Sequence, residues 1–500
     1  MRTPFLLLRM SVFLVLFGTA AADAATYSVP GFSETRIVTG LAAPTDFAFL
    51  PDGRILVLEK AGRIRIVVNG ALQATPVLDI TGQVDDGFEK GLLGICLHPS
   101  FPSTGWVYLY YTTNVPKNRI ARFTLTGNSI GAASQVVILD DISAENGNHN
   151  GGTIAIGPDG KLWAAPGDSG TGGTKAQTLT PYPYEGAFSG KVLRMELDGS
   201  PAAGNPYLGD ATKEPRVWAY GLRNPFRFAF RPSNGAPFVA DVGQSTKEEL
   251  DVGVAGGNFG WPYHEGTTVR SACPANTTCL PPVFEYGRTV GTTITGGVFV
   301  TGNAYPASFR GRYVFGDYGG GQGWIKTLEL DSNNVVVGGL QDLATSAGGP
   351  VAFHLGPDGY VYYAAIGTGS LYRIDFPKNL HTLTPCRVLD TRSPAGTHGG
   401  PRLIAGMDRT FPIGGQCGIP PEARAVSANL TVTEATDTGH LVVLPAGGAL
   451  TEASTINFRA GQTRANNAIL MLGPAGGIVV RTGIATGGVH FILDVNGYFD

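Results

Sequence analysis

Residues 154–168 read IAIGPDGKLWAAPGD, and residues 353–367 follow the same pattern with FHLGPDGYVYYAAIG. In each stretch an alternating apolar run leads into Pro-Asp-Gly, and a second apolar run follows. Alternation with a period of two is typical of a half-buried strand, and Asp-Gly supplies the positive φ angles of a tight hairpin turn. Each stretch therefore predicts a β-hairpin.

The same unit can be traced six times along the first 375 residues. FAFLPDGRILVLEK at residues 47–60 is a third clear copy, and three looser copies occupy residues 95–111, 228–243 and 304–319. Hairpins that recur at this spacing are typical of sheets repeated around an axis. We therefore predict an all-β fold whose first domain is a six-bladed β-propeller. An array of β-sandwiches, the alternative, would repeat at about 100 residues.

Composition agrees with a turn-rich, all-β protein. Glycine accounts for 72 of the 500 residues, and only 15% of the residues are charged, against the usual ~25%. This balance argues against a helical bundle, a coiled coil or a charge-rich disordered chain, while 43% hydrophobic residues suffice for a large core. The net charge of −3 offers no basic surface for nucleic acid, so no nucleic-acid partner is expected.

The N-terminus has the layout of a secretory signal peptide. Arg2 and Arg9 precede or flank a short apolar run at residues 10–17, and the small residues Ala22-Asp-Ala24 follow. An N-terminal membrane anchor is the alternative, but the apolar run is short for a span. We predict that residues 1–24 are removed and that the mature protein is secreted or periplasmic, with no membrane span.

The five cysteines suit an oxidising compartment. Cys273 and Cys279 flank a short loop and could form a local disulfide, and Cys386 could pair with Cys417 in the C-terminal region. Cys96 lies in the apolar segment GICL and is expected to be a buried, inert thiol.

A polar, glycine-rich loop carries the first candidate for catalysis. His149 lies in ENGNHNGG at residues 145–152, just before a predicted strand, and Asp168 ends the next strand. Because a hairpin brings its two ends together, Asp168 can lie beside His149. A carboxylate next to an imidazole fixes its tautomer and raises its basicity. We predict a catalytic His–Asp pair, with a hydrogen-bonded structural histidine as the alternative.

Three further segments carry candidate ligands. Arg223 and Asn224 precede a strand in WAYGLRNPFRF, and the rigid fork of an arginine suits planar, anionic or quinonoid oxygens. An arginine on a solvated rim is the alternative. The segment ADVGQSTKEELD at residues 240–251 offers carboxylates and loop carbonyls of the kind that bind calcium. Glu89 adds an ionisable group at the entry to another strand, in EKGLLG.

Together these motifs resemble one family, the soluble glucose/sorbosone-type sugar dehydrogenases that use pyrroloquinoline quinone (PQQ). The resemblance covers roughly residues 35–375 and is carried by EKGLLGICLHPSF, NHNGGTIAIGPDGKLWAAPGD, AYGLRNPFRFAF and GGNFGWP. It implies a six-bladed propeller that oxidises an aldose sugar at C1 to the lactone. Hydride would pass to PQQ, and the electrons would then pass to an external acceptor.

The resemblance also assigns a role to each matching residue. His149 matches the general base, Asp168 matches the carboxylate that supports it, and Arg223 with Asn224 matches the pair that contacts the quinone oxygens. Arg223 would also stabilise the negative charge that develops there. Glu89 falls where family members often carry a glutamine near the cofactor.

The same resemblance implies two calcium sites. Gly243 and Gln244 match the carbonyls that hold a Ca²⁺ ion bound to the cofactor, which acts as a Lewis acid. Glu248 and Glu249 match acidic positions of a second, structural calcium region.

Two loops depart from the family pattern. The best-known members place a lysine between the fifth and sixth blades, and arginines before the last blade, to hold the cofactor's carboxylates. The matching loops here read FGDYGGGQ at residues 315–322 and AGGPV at residues 347–351, without a cation. Either another cation such as Arg227, Arg312 or Lys326 replaces them, or the chain is a non-catalytic propeller that binds carbohydrate or a surface.

The last 117 residues follow a different pattern. Residues 384–500 open with TPCRVLDTR and end with VNGYFD, and short alternating strands between Gly and Asn turns predict a β-sandwich-like domain. The segment resembles a module found at the ends of secreted bacterial proteins; a role in adhesion, in carbohydrate contact or at the cell surface is the hypothesis, and a packing module is the alternative. The predicted organisation is a signal peptide at 1–24, a propeller at 25–376, a linker at 377–383 and this module at 384–500.

Overall fold

The computed structural model describes residues 24–376, 379–449 and 453–499. The predicted signal peptide lies outside this part of the chain, except for Ala24. The prediction of an all-β fold is confirmed, because the regular structure of the described residues consists of strands and of helices of a single turn. These helices are Phe101–Thr104 and Thr174–Gln177, with 3-10 turns at Thr81–Gln83, Ala132–Ser134, Ala307–Phe309 and Gly319–Gly321. Within the described residues, none is long and apolar enough to cross a bilayer.

Between residues 26 and 375 the described strands form six antiparallel sheets of four or five strands, together with one small hairpin. Each sheet is numbered here in the chain order of the strand that is given first for it below, and this strand is called its first strand; Thr26–Tyr27 and Ser33–Thr39, from the start of the chain, are added to sheets 5 and 6. Sheet 1 contains Pro44–Phe49, Ile55–Glu59, Arg63–Val68, Ala71–Leu72 and Leu78–Asp79; sheet 2 contains Leu92–Leu97, Trp106–Thr112, Lys117–Thr126, Ser129–Ile130 and Val136–Ser143; sheet 3 contains Thr153–Ile156, Leu162–Ala165, Lys191–Met195 and Val217–Tyr220. Sheet 4 contains Pro225–Phe230, Pro237–Asp241, Lys247–Val252 and Phe284–Gly287; sheet 5 contains Ile294–Phe299, Tyr313–Asp317, Trp324–Leu330, Val336–Thr345 and Thr26–Tyr27; sheet 6 contains Pro350–Leu355, Val361–Ala365, Ser370–Asp375 and Ser33–Thr39; the hairpin pairs His264–Glu265 with Thr268–Val269.

The first strands of the six sheets contact one another in a closed cycle, from sheet 1 through sheet 6 and back to sheet 1. Ser33–Thr39, from the start of the chain, pairs with Ser370–Asp375 in sheet 6. The two ends of this region are therefore joined by strand pairing. Apolar side chains fill the space between neighbouring sheets, as Leu56 of sheet 1 and Leu109 of sheet 2 illustrate.

The hairpins predicted from the sequence are confirmed. In each of the six sheets, the predicted turn falls between the first and the second strand. At the three Pro-Asp-Gly turns the glycines Gly53, Gly160 and Gly359 have φ angles of 88°, 73° and 80°. This left-handed conformation is the one for which glycine is suited.

Residues 380–499 form two further sheets that share one apolar core. Sheet 7 contains Leu380–Asp390, Leu403–Ile404, Ala425–Thr433, Arg464–Met471 and Gly488–Phe499; sheet 8 contains Asp408–Pro412, Gly439–Pro445, Ile456–Phe458 and Gly477–Ile484. Val426 of sheet 7 and Val480 of sheet 8 are both completely buried in that core. The first strand begins at Leu380, inside the segment predicted as a linker.

Both predicted disulfides are present, Cys273–Cys279 and Cys386–Cys417. Cys96 is a free, partly buried thiol. Burial raises the pKa of Cys96 well above its usual range, which agrees with the expectation of an inert thiol.

Replacing Cys386 and Cys417 together by serine is expected to lower the unfolding free energy of residues 380–499. The disulfide closes a loop of 31 residues, for which the entropy of the unfolded chain corresponds to about 3–4 kcal/mol. The effect is measured by chemical denaturation, with unfolding followed by circular dichroism. The matched control replaces Cys273 and Cys279, whose separation of 6 corresponds to about 2 kcal/mol. Equal unfolding free energies for the wild type and both variants would contradict this account.

Candidate active site

The six sheets form a closed ring around a common axis. A cavity of about 510 Å³ opens at the end of this ring at which the first strands begin. Its wall includes a residue at or near the start of every first strand, so the cavity lies on the axis of the ring. In sheet order these residues are Thr45, Leu93, Gly151, Phe226, Thr295 and Val351. A concave site with polar groups supplied by several sheets is where a small ligand is expected to bind.

His149 and Asp168 are paired at this cavity. His149 lines the wall, and its Nδ1 lies 2.6 Å from Oδ1 of the completely buried Asp168. Asp168 also accepts hydrogen bonds from the Nε1–H of Trp261, at 2.8 Å, and from the backbone N–H of Gly170, at 2.8 Å. Because an ionised carboxylate only accepts hydrogen bonds, the ring proton lies on Nδ1. Nε2 is therefore the nitrogen that can accept a proton from a ligand.

The backbone of the loop explains how the histidine reaches this position. His149 has a φ of 54°, and its N–H donates to Oε2 of Glu89 at 2.7 Å. Its carbonyl oxygen lies so close to Gly167 that a Cβ atom there would be 2.2 Å away. A residue without a side chain at position 167 is therefore required for the pairing of His149 with Asp168.

Gly167→Ala is expected to lower the rate of any reaction that depends on His149 by about 100-fold, because a displacement of about 1 Å at a catalytic group has an effect of this size. The added methyl group must displace the carbonyl of His149, and with it the imidazole. Steady-state kinetics measures the loss. Gly131→Ala is the matched control, since Gly131 has an ordinary φ and open space around its Cβ position. Unchanged kinetics in Gly167→Ala would show that the close approach is unimportant.

Asp241 holds the turn that carries Arg223 and Asn224. Its carboxylate accepts the backbone N–H of Arg223 at 2.8 Å and that of Asn224 at 2.6 Å. Burial raises the pKa of Asp241 to about 6 and lowers the pKa of Arg223. The Nη1 of Arg223 donates to the carbonyls of Val242 and Gly243, at 2.8 and 2.9 Å.

Asn224 connects this turn to the histidine loop. Its Oδ1 accepts the N–H of Gly151 at 3.1 Å, and its Nδ2 donates to Oε2 of Glu89 at 3.2 Å. The same Glu89 oxygen binds the backbone of His149. The structure thus brings together the five residues predicted for catalysis and cofactor binding: Glu89, His149, Asp168, Arg223 and Asn224.

The residues predicted for the two calcium sites lie in different surroundings. Gly243 and Gln244 line the cavity. Glu248 and Glu249 are consecutive in the strand Lys247–Val252, so their side chains point to opposite faces of sheet 4. Glu248 is completely buried and pairs with Arg288.

Glu249 belongs to a group of buried carboxylates instead. Asp241 lies opposite Glu249 in the neighbouring strand, and Asp251 follows two residues later on the same face. Both carboxylate oxygens of Asp251 are buried without a partner among the described residues. Burial and the repulsion between these acids raise the pKa of Glu249 and of Asp251 well above the usual range. Such a group favours either protonation or a bound cation.

The carboxylates of this group do not form a preassembled cage of side chains. Among the described residues, the group of three metal-binding side chains within 4.8 Å of one another is His264, Cys273 and Cys279. Both of its sulfurs are joined in a disulfide, so it offers only an imidazole. A cation bound at Glu249 and Asp251 would therefore take backbone oxygens as further ligands, as calcium does.

The wall of the cavity is rich in positive charge. Four cations line it, while Glu89 is the one carboxylate among its lining residues: the cations are Lys60, Arg223, Arg227 and Arg288. Of the three replacements suggested from the sequence, only Arg227 is at the cavity. Arg312 pairs with Glu329 and Lys326 with Asp342, away from the lining residues.

Several of these lining residues carry buried donors without a partner in the described part of the chain. They are Nε of Arg223, of Arg227 and of Arg288, and the hydroxyl of Thr295. A guanidinium Nε–H only donates. Because these atoms are buried away from solvent, they do not face the open cavity, and the feature that favours an anionic ligand is the positive charge of the four lining cations.

The contacts that four residues make at this site were not predicted from the sequence. Trp261 stands in the quoted motif GGNFGWP and Asp241 in the quoted segment 240–251, but no local pattern indicates their hydrogen bonds. Lys60 ends the hairpin segment at residues 47–60, and Arg288 lies outside the quoted motifs, so both are distant in sequence from the loop of His149. Only the closed ring brings them to the same cavity.

Comparison with known proteins agrees with this geometry. The family model for glucose/sorbosone dehydrogenases matches residues 41–373. Quinoprotein glucose dehydrogenase B of Acinetobacter calcoaceticus is 30% identical over 258 residues, which cover 47% of this chain and 53% of that protein. The PQQ-bound structure of aldose sugar dehydrogenase from Streptomyces coelicolor is 26% identical and superimposes with a TM-score of 0.57, over 69% of this chain and 98% of that one.

A relative of another kind also matches. The Hedgehog-interacting protein of Homo sapiens is 29% identical over 224 residues, which cover 40% of this chain and 31% of that protein. The chain thus spans about half of the Acinetobacter enzyme and about a third of the human protein. Because the family model extends over most of the ring and includes the residues around the cavity, the chain belongs to the glucose/sorbosone dehydrogenase family.

Proposed function

We propose that this protein is a PQQ-dependent dehydrogenase that oxidises an aldose at C1 to the lactone and passes the electrons to an external acceptor. The observation that carries the proposal is the His149–Asp168 pair at a cavity whose lining residues include four cations and one carboxylate. A base supported by a carboxylate, next to a wall that binds anions, suits hydride transfer from a sugar to an anionic cofactor.

The residues of the cavity fit PQQ, which carries three carboxylates. Lys60, Arg227 and Arg288 would hold the carboxylates in place of the cations that the family places in the two departing loops. Arg223 and Asn224 would contact the quinone oxygens, and the carbonyls of Gly243 and Gln244 would hold the associated calcium ion. When bound, PQQ supplies the acceptor for the hydride of the sugar.

The part of the reaction that the chain itself performs is acid–base chemistry. Asp168 keeps the proton of the His149 ring on Nδ1, so Nε2 removes the proton from the anomeric hydroxyl of the sugar. The buried carboxylate then stabilises the imidazolium that forms. Arg223 places a positive charge on the cavity wall, which stabilises the negative charge that develops during hydride transfer.

We also propose the wider organisation that goes with this activity. The six sheets are the blades of a β-propeller, and residues 380–499 are a β-sandwich-like module that contacts carbohydrate or a cell surface. Glu249 and Asp251 bind a structural calcium ion. Removal of residues 1–24 accompanies export to a secreted or periplasmic location.

The test is to add PQQ and Ca²⁺ to the purified protein and to follow the reduction of an artificial dye with a panel of aldoses. We expect dye reduction that depends on both the cofactor and the sugar. No cofactor-dependent reduction with any aldose would contradict the dehydrogenase proposal.

The second candidate function is a non-catalytic propeller that binds carbohydrate or a surface. It is supported by the match to the Hedgehog-interacting protein and by the two loops without cations. Titration with PQQ, followed by quenching of tryptophan fluorescence, distinguishes the two. The dehydrogenase requires saturable binding of PQQ, whereas binding of glycans without binding of PQQ would favour the second candidate.

A further inference from the structure

Trp261 contacts two parts of the candidate active site, the His149–Asp168 pair and the side chain of Arg223. Its Nε1–H donates to Oδ2 of Asp168 at 2.8 Å, and the guanidinium carbon of Arg223 lies 5.5 Å from the centre of one of its rings. Trp261 is 5% exposed and Asp168 is completely buried. One side chain therefore touches both the carboxylate that supports His149 and the arginine of the cavity wall.

The indole is held in place from several sides. The backbone N–H of Trp261 donates to the carbonyl of Gly221 at 2.8 Å, and its own carbonyl accepts from Nε2 of Gln177 at 2.7 Å. A second guanidinium, that of Arg270, lies 5.0 Å from the indole. These contacts fix the position of the indole, so its N–H donor stays directed at Asp168.

We propose that Trp261 is a positioning residue for the His149–Asp168 pair: its indole N–H holds the carboxylate in place and sets the basicity of the imidazole. The inference deepens the proposed function and rests on it for the reaction that His149 promotes. The basicity of His149 can nevertheless be measured without any turnover.

The physical argument concerns the two oxygens of Asp168. Oδ1 is shared between Nδ1 of His149 and the N–H of Gly170, whereas Oδ2 has the donor of Trp261. Without that donor, Oδ2 is buried with its charge less well satisfied. A more basic carboxylate attracts the Nδ1 proton more strongly and stabilises the imidazolium, so the pKa of His149 rises.

Other charged groups face this pair. Lys191, Arg223, Glu89 and Asp241 all lie close enough to act on Asp168 or on its partners. Burial lowers the pKa of Lys191 to about 7. A substitution of Trp261 by Phe leaves Lys191, Glu89 and Asp241 unchanged and keeps an aromatic ring beside Arg223, so the effects of these groups are common to the wild type and to the variant.

The decisive variant is Trp261→Phe, which keeps an aromatic ring and removes the N–H. The matched control is Trp218→Phe, because Nε1 of Trp218 is buried without a partner among the described residues and its loss breaks no hydrogen bond. Two quantities are measured: the pKa of the His149 ring by NMR titration without cofactor, and the pH dependence of kcat/KM with PQQ and an aldose.

In Trp261→Phe we expect the pKa of His149 to rise by about one unit, which is the scale of one hydrogen bond to a charged group. The acid limb of the kcat/KM profile should move by the same amount, and kcat should fall about 10-fold. Trp218→Phe should leave both quantities unchanged. A folded Trp261→Phe variant with the wild-type pKa of His149 would overturn the inference.

Two further outcomes keep the test decisive. If the wild type shows no dehydrogenase activity, the proposed function fails while the NMR titration still tests Trp261. If Trp261→Phe does not fold, the second measurement is made on the wild type, by following the NMR resonance of the Trp261 indole N–H against pH. The protein has only five tryptophans, so this resonance can be assigned among few others. The resonance of Trp261 should titrate with the same midpoint as His149, and a resonance insensitive to that ionisation would overturn the inference.

Discussion

His149→Ala is expected to lower kcat for aldose oxidation by about three orders of magnitude. A positioned general base contributes roughly 10²- to 10⁴-fold, and the Nε2 of His149 is the proton acceptor at the cavity. Asp168→Asn should have an effect of similar size, because an amide can hold the imidazole in the wrong tautomer. Dye reduction with saturating PQQ and sugar measures both effects.

The matched control for this prediction is His354→Ala. His354 also pairs with a buried carboxylate, since its Nε2 lies 2.7 Å from Oδ1 of Asp46, but neither residue lines the cavity. Loss of that pair should leave kcat within a factor of about two if proton transfer occurs only at the cavity. Equal rates for wild type and His149→Ala would show that another group acts as the base.

Removal of calcium with EDTA is expected to lower the melting temperature, and to lower it more at pH 8 than at pH 5. Burial and mutual repulsion raise the pKa of Glu249 and Asp251 above the values of the unfolded chain. Folding without a cation therefore takes up protons. The stability is fully present below the unfolded pKa, near 4, and is lost as the pH rises toward the folded pKa. A bound Ca²⁺ ion offsets this loss.

The size of the calcium effect follows from linkage. Ca²⁺ at 100 times its Kd adds about 2.7 kcal/mol to the unfolding free energy, which for a region of this size corresponds to a shift of roughly 4 °C in Tm. Thermal denaturation in EDTA and in Ca²⁺ at several pH values measures it. Equal Tm values in the two buffers at pH 8 would contradict a structural calcium site.

Asp251→Asn provides the sharper comparison for the same site. In EDTA at pH 8 this variant should be more stable than the wild type, because a neutral amide removes the buried charge that has no partner. In Ca²⁺ it should lose most of the stabilisation by the ion. Asp342→Asn is the matched control, since Asp342 is exposed and pairs with Lys326 at the surface.

The parts of the fold that could be predicted are those set by neighbours in sequence. Alternating apolar residues around Pro-Asp-Gly decide a hairpin within some 15 residues, and the glycine of the turn has the positive φ that this geometry requires. The pairing of His149 with Asp168 follows from the same local rule, because both lie at the open end of one hairpin.

The separation of Glu248 from Glu249 depends on an equally simple rule, the alternation of side chains along a strand. From the family resemblance the two acids were expected in one calcium region. In sheet 4 Glu248 faces Arg288 and Glu249 faces Asp241 and Asp251. Adjacent residues in a strand cannot serve the same side-chain site unless the strand is distorted.

Local patterns thus predicted the six hairpins and the local partners of the candidate active site, and they suggested both disulfides. The contacts that complete that site join residues distant in sequence and depend on the closed fold: Lys60 and Arg288 line the wall of the cavity, Trp261 donates to Asp168, and Asp241 holds the turn of Arg223. The physical reason is that local patterns act over one hairpin. The cavity forms only when the first strands of all six sheets close into a ring and bring their ends to a common axis.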